Sequence, residues 1–92
     1  MEASTSAAMS VTITDEIREV LRDHARLPVE VDGLDDGADL FDAGMSSFAS
    51  VNVMLALEDR FEVEFPDELL TRSAFESIAA LRSAVSRLRA QA

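Results

Sequence analysis

Asp39 to Phe61 reads DLFDAGMSSFASVNVMLALEDRF, and the fold turns on this stretch. Gly44 closes an acidic segment that disfavours helix, two serines follow, and an apolar helical pattern then begins. With residues placed about every 100° around an α-helix, Val53, Met54, Leu57 and Phe61 share one face. That face is wide enough to meet a bundle core. Phe48, Val51 and Leu55 form a second stripe beside it, and Asn52, Ala56 and Asp59 complete the helix. One helix of a small bundle seldom buries so wide an arc. The second stripe is therefore either open to a partner or covered by the long segment that precedes it. Ser46 and Ser47 stand where turn becomes helix. A helix N-cap accounts for one serine. The other offers a hydroxyl where free backbone N–H groups and the positive end of the helix dipole favour an anion.

Working outward, a first helix is expected from Thr12 or Thr14 to Arg26, because Ile17, Val20, Leu21, His24 and Ala25 recur at helical spacing. Asp15 and Glu16 suit its first turn, and Pro28 prevents continuation. Residues 27–46 carry three glycines and six carboxylates and read as a long ordered loop. Val29, Val31, Leu34, Leu40 and Phe41 are spaced to pin it to a core. After the second helix, Ser47 to Phe61, a short element is expected at Asp67 to Leu70. A last helix opens at Ser73, where SAFE (Ser73 to Glu76) has the form of a capping box, and Phe75, Ile78, Leu81, Val85 and Leu88 carry its apolar stripe. The expectation is an all-α, four-helix bundle with one long crossover.

Composition narrows the function. A chain of 92 residues forms one domain, and at this size folding removes roughly 60–65% of the unfolded surface from water. The net charge is −10, all eight basic residues are arginine, and such a field argues against nucleic-acid and membrane-surface roles. It favours partners with a basic patch, or simply keeps the domain soluble. Without cysteine there are no disulfides or thiolate metal sites. The N-terminus has neither the basic segment nor the apolar run of a signal peptide, and no stretch nears the ~20 apolar residues of a membrane span. A cytoplasmic monomer is expected, with residues 1–10 a disordered leader, Met9 an alternative start, and residues 11–90 the folded unit.

Catalytic and metal readings lack parts. Starting at Asp32 or Asp35, the acidic loop misplaces the carboxylates and glycine that a calcium loop requires. His24 is the only histidine and reads as a packing residue on the first helix. There is no phosphate-cradling glycine loop and no nucleophile–base pair. An enzyme is not expected.

The motifs resemble the phosphopantetheine carrier proteins, the acyl and peptidyl carrier family. The shared residues are Asp39-Leu40, Gly44-Met45-Ser46-Ser47-Phe48, Leu57-Glu58-Asp59-Arg60-Phe61 and Phe65-Pro66-Asp67. The resemblance covers about residues 12–90 and implies an acyl-carrier-protein-like four-helix bundle with a long loop between helices 1 and 2 and a short helix 3. It implies that Ser47 receives 4′-phosphopantetheine from coenzyme A through a holo-carrier-protein synthase (a phosphopantetheinyl transferase), with Ser46 capping the helix beside it. Phe48, Val51, Asn52, Leu55 and Asp59 would then form the partner-docking face.

Four positions depart from the family pattern. Ser46 replaces an aspartate, Phe48 a leucine, and Ala49 and Asn52 stand where acidic residues are common. The anionic docking face is thinned near the arm, which argues against the basic patches of fatty-acid enzymes. The run GMSSFASVNVMLALEDRFEVEFPDELLTRSAFESI is more similar to bacterial aminoacyl carrier proteins. That similarity implies loading with glycine or alanine by a seryl-tRNA synthetase-like amino acid:carrier protein ligase, and a downstream acceptor of the cargo. An acyl or peptidyl carrier of a lipid, polyketide or nonribosomal peptide pathway is the neighbouring reading. An unmodified helical adaptor that binds through the Phe48 stripe is the reading from another class.

Overall fold

The computed structural model describes residues 5–91. Helix α1 spans Thr5–His24, α2 Ser47–Phe61, α3 Arg72–Phe75 and α4 Ile78–Gln91, with 3-10 turns at Val31–Gly33 and Asp67–Leu69. The described residues are otherwise turns and loop, so the expected all-α bundle with a long α1–α2 crossover is the observed one, but its short third helix is Arg72–Phe75, the element expected at Asp67 to Leu70 being a 3-10 turn and the helix expected from Ser73 being split in two. Of the leader, residues 1–4 lie outside the described residues. Residues 5–10 are helical, so α1 begins earlier than Thr12 or Thr14.

The bundle forms because each long helix has one continuous apolar face. Ile17, Val20, Leu21 and Ala25 of the first segment, Val53, Leu57 and Phe61 of α2, and Ile78, Leu81, Val85 and Leu88 of α4 are buried together. His24 is not a packing residue of this core. It shares the sequence spacing of that face yet is exposed, because a groove lined by Val20, Leu55 and Arg60 opens beside it and leaves its ring to solvent. Arg26 then adopts a left-handed conformation (φ 55°), which ends the helix ahead of Pro28.

Arginines of α1 and α4 stitch the acidic loop onto the bundle. Arg18 donates to the carbonyls of Val31 (2.7 Å) and Leu34 (3.0 Å) and to Asp36 (2.7 Å). Arg82 reaches the other carboxylate oxygen of Asp36 at 3.2 Å. The Arg18 bond, reinforced by Arg82, holds the Asp36 carboxyl below its ordinary range, against the opposing effect of burial. Two backbone bonds complete the attachment, Leu40 N–H to the Glu76 carbonyl (2.7 Å) and Ala79 N–H to the Asp36 carbonyl (2.9 Å). Val31 and Leu40 are buried and Leu34 and Phe41 partly so, as their spacing requires, whereas Val29 is left exposed.

The end of the chain caps itself differently from expectation. Thr71, not Ser73, caps α3 by accepting from the Ala74 N–H (3.3 Å). Ser77 caps α4 by accepting from the Ala80 N–H (3.0 Å). Two short-range caps thus replace one capping box, and Glu76 ends α3 instead of reaching back to Ser73. Arg60, near the end of α2, is held to α1 by Glu19 (3.1 Å) and Glu16 (3.5 Å), and Glu19 leads in raising its pKa.

Candidate functional site at the start of the second helix

The turn before α2 is built tightly. Asp39 accepts from the N–H groups of Phe41 (2.9 Å) and Asp42 (3.0 Å), and Met45 N–H returns to the Leu40 carbonyl (3.0 Å). Gly44 sits at φ 122°, and a Cβ there would lie 2.6 Å from Cδ of Pro28. Only glycine fits both the conformation and the space. Met45, buried at 3% exposure, anchors the turn to the core.

Ser46 is the cap, as expected. Its Oγ accepts from the Ala49 N–H (3.0 Å), and its carbonyl takes the Ser50 N–H (3.0 Å). Ser47 is therefore fixed as the first helical residue, and it is exposed. At this end of a helix the leading N–H groups have no intrahelical acceptor, so the amides of Ser47 and Phe48 remain free to meet an anion. Ser50 Oγ donates to the Ser47 carbonyl (2.6 Å), a bond that sequence spacing did not single out. A solvent-facing hydroxyl beside uncommitted amides suits a phosphate ester. The chain's only histidine, His24, lines a different groove. Among the described residues no three His, Asp or Glu are placed to hold a metal.

Exposure settles the question left open by the second stripe of α2. Phe48 is 79% exposed, Val51 50% and Leu55 53%, so the acidic loop does not cover them. Asn52 is half-buried and Asp59 exposed. Ala49 is 3% exposed, which corrects its place in the comparison with acidic docking positions: its side chain is in the core, not on the face. No ionisable residue occurs from Ala43 to Leu57, so the arm-side half of α2 is an uncharged surface in a strongly acidic chain.

The stripe divides two depressions. Leu55, Asn52 and Asp59 line a groove toward α1 with Val20, His24 and Arg60. Val51 and Ser47 line a cleft of about 360 Å³ toward α3, together with Phe41, Met54, Leu70 and Arg72. Phe41, Leu70 and Arg72 are brought to this cleft by the loop and by α3. Periodicity within α2 carries no signal for them. The Leu57-Glu58 to Phe61 motif has a structural role: Leu57 and Phe61 are buried, and Glu58 accepts from the Phe65 N–H (2.8 Å).

Comparison with known proteins agrees with this geometry. The profile of the family described as phosphopantetheine attachment site matches residues 12–85. An aminoacyl carrier protein of Agrobacterium fabrum is 52% identical over 69 residues, 75% of this chain and 83% of the relative. A crystal structure of an engineered Bradyrhizobium japonicum glycine:[carrier protein] ligase, complexed with carrier protein from Agrobacterium tumefaciens and ATP, contains a chain 48% identical to this one. The TM-score is 0.79, and the match covers 82% of this chain and 97% of that one. A solution structure of an Agrobacterium tumefaciens protein matches at TM-score 0.68 and 47% identity, over 84% of this chain and 93% of that one. The chain belongs to the phosphopantetheine attachment-site family: it is a non-catalytic carrier protein whose prosthetic group is covalently attached 4′-phosphopantetheine.

Proposed function

We propose that this is an aminoacyl carrier protein, with residues 11–90 as the carrier unit, Ser47 as the point of attachment, and glycine or alanine as cargo. The observation that carries the proposal is the exposed hydroxyl of Ser47 at the first position of α2, in a chain 52% identical to an aminoacyl carrier protein. The residues present fit the group, because an exposed hydroxyl, two free helix amides and a neighbouring cap suit a phosphodiester better than any internal contact. When bound, the group supplies the thiol that this cysteine-free chain lacks, and holds the cargo as a thioester.

The chain's own residues do the rest. Ser46 fixes the helix start so that Ser47 always faces a modifying transferase in one orientation. Phe48, Val51 and Leu55 give partner enzymes an apolar contact, with Asn52 and Asp59 at its rim. Because that half of α2 is uncharged, docking there desolvates no ion and draws on apolar burial, roughly 25 cal/mol per Å². This suits a dedicated amino acid:carrier protein ligase of the kind seen in complex with the Agrobacterium carrier, and not an enzyme that reads an acidic helix through a basic patch.

The test is loading. Holo protein incubated with ATP, the glycine:carrier protein ligase and equal glycine, alanine and serine should gain the mass of one glycyl or alanyl residue, released by hydroxylamine. A holo protein that stays uncharged under these conditions, yet accepts fatty acyl groups from an acyl-carrier ligase, would overturn the aminoacyl assignment.

A further inference from the structure

Arg72 is the one arginine that lines the cleft beside Ser47. Arg18, Arg22, Arg60 and Arg82 each hold a carboxylate. None of the ion pairs among the described residues uses Arg72. Its guanidinium instead lies over the ring of Phe41, 4.2 Å from the centroid, which fixes a long flexible side chain against the loop. Both residues line the cleft that reaches Ser47. In a protein with 18 acidic residues, that cleft holds none of them; its other walls are Ser50, Val51, Met54, Leu70, Thr71 and Phe75, so Arg72 is its single charge. The local sign is opposite to that of the molecule.

We propose that this cleft is a seat for the arm, in which Arg72 is the counter-charge for the phosphodiester attached to Ser47 and the Val51, Met54 and Phe75 wall takes the apolar part of the arm next to the phosphate. The proposal rests on Ser47 being the attachment point. Phe41 is the positioning residue: stacking holds the guanidinium at the cleft and leaves its N–H groups free to donate to phosphate oxygens. The same positive charge disfavours the α-ammonium of an aminoacyl cargo in the cleft, so the cargo end stays out in solution while the phosphate end is held. The contact is partly exposed, so its size is that of a surface ion pair: strong enough to bias the arm, weak enough to release it to an enzyme.

The experiment uses holo protein carrying a ¹³C-labelled arm, with attachment first verified by intact mass. Nuclear Overhauser contacts from the arm's geminal methyl groups to Val51, Met54 and Phe75, and a shift of the Arg72 Nε–H on going from apo to holo, are expected. Arg72→Gln and Phe41→Ala should each lower the seated fraction by about two- to fivefold, and Arg72→Lys should retain most of it. Arg72 is exposed and loses only its stacking on Phe41, so Arg72→Gln should stay folded and unfold within a few degrees of the unaltered protein. Equal contacts in the holo protein and holo Arg72→Gln, or none in either, would overturn the seat and leave the attachment intact. A chain that takes no arm at Ser47 would overturn the attachment and the seat together.

Discussion

Gly44 and Ser46 show how single residues fix the geometry of the attachment turn. At Gly44 the backbone lies in a region that side chains rarely adopt, and Pro28 occupies the space a Cβ would need. Gly44→Ala should therefore destabilise the fold by about 2 kcal/mol or more, read as a lower urea midpoint with an unchanged slope. The glycine-to-serine turn was legible in the sequence because both residue types have few structural roles and their spacing is short-range. The exposure of His24 was not. A helical period assigns a residue to a face, and cannot see that the neighbouring helix leaves an open groove beside that one position. Ala49 was misplaced for the complementary reason: alignment to a family position says what relatives carry there, not which way this helix is rotated.

At the scale of the element, α2 matches its reading from Ser47 to Phe61 because cap, apolar period and terminus agree with one another. Its outer stripe is exposed or half-exposed, so Phe48→Ser and Leu55→Ser should each cost no more than about 1 kcal/mol. The same variants should raise the ligase KM for the holo protein several-fold while leaving kcat nearly unchanged. Loss of stability equal to a core substitution would show instead that the stripe is packed. The final segment was less legible. Three hydroxyl residues, Thr71, Ser73 and Ser77, lie close enough together that each can cap a helix, and the choice was made by tertiary bonds. The Glu76 carbonyl accepts from Leu40 of the loop, which suits a break between α3 and α4 at that point. Long-range contacts of this kind, like the stacking of Arg72 on Phe41, leave no local pattern.

At the scale of the molecule, a net charge of −10 is managed by routing arginines to the one long loop. Asp36 ties that loop to α1 and α4, and its pKa is lowered mainly by the Arg18 bond. A lowered carboxylate pKa adds stability above the unfolded value of 3.8, and that stability is lost as the pH falls through the lower folded value. Asp36→Asn should thus cost stability at pH 7, by under about 1 kcal/mol because the side chain is 43% exposed, with the charge-dependent part vanishing in acid. Urea midpoints of the two proteins at pH 7 and pH 3 check this; a gap that persists undiminished at pH 3 would mean that the carboxylate's charge is not its source. The four-helix architecture was legible because apolar faces at helical spacing must be buried somewhere. How the acidic loop is held was not, since six carboxylates offer many pairings and only the folded bundle selects Asp36 for two arginines.

Whether Ser47 carries the arm is read from the intact mass of three proteins after incubation with coenzyme A and a phosphopantetheinyl transferase. The unaltered protein and Ser46→Ala should each gain one arm, Ser46→Ala doing so from a fold weakened by about 1 kcal/mol through loss of its cap. Ser47→Ala should keep its fold and gain nothing. An arm found on Ser47→Ala, or absent from the unaltered protein, would show that Ser47 is not the attachment point.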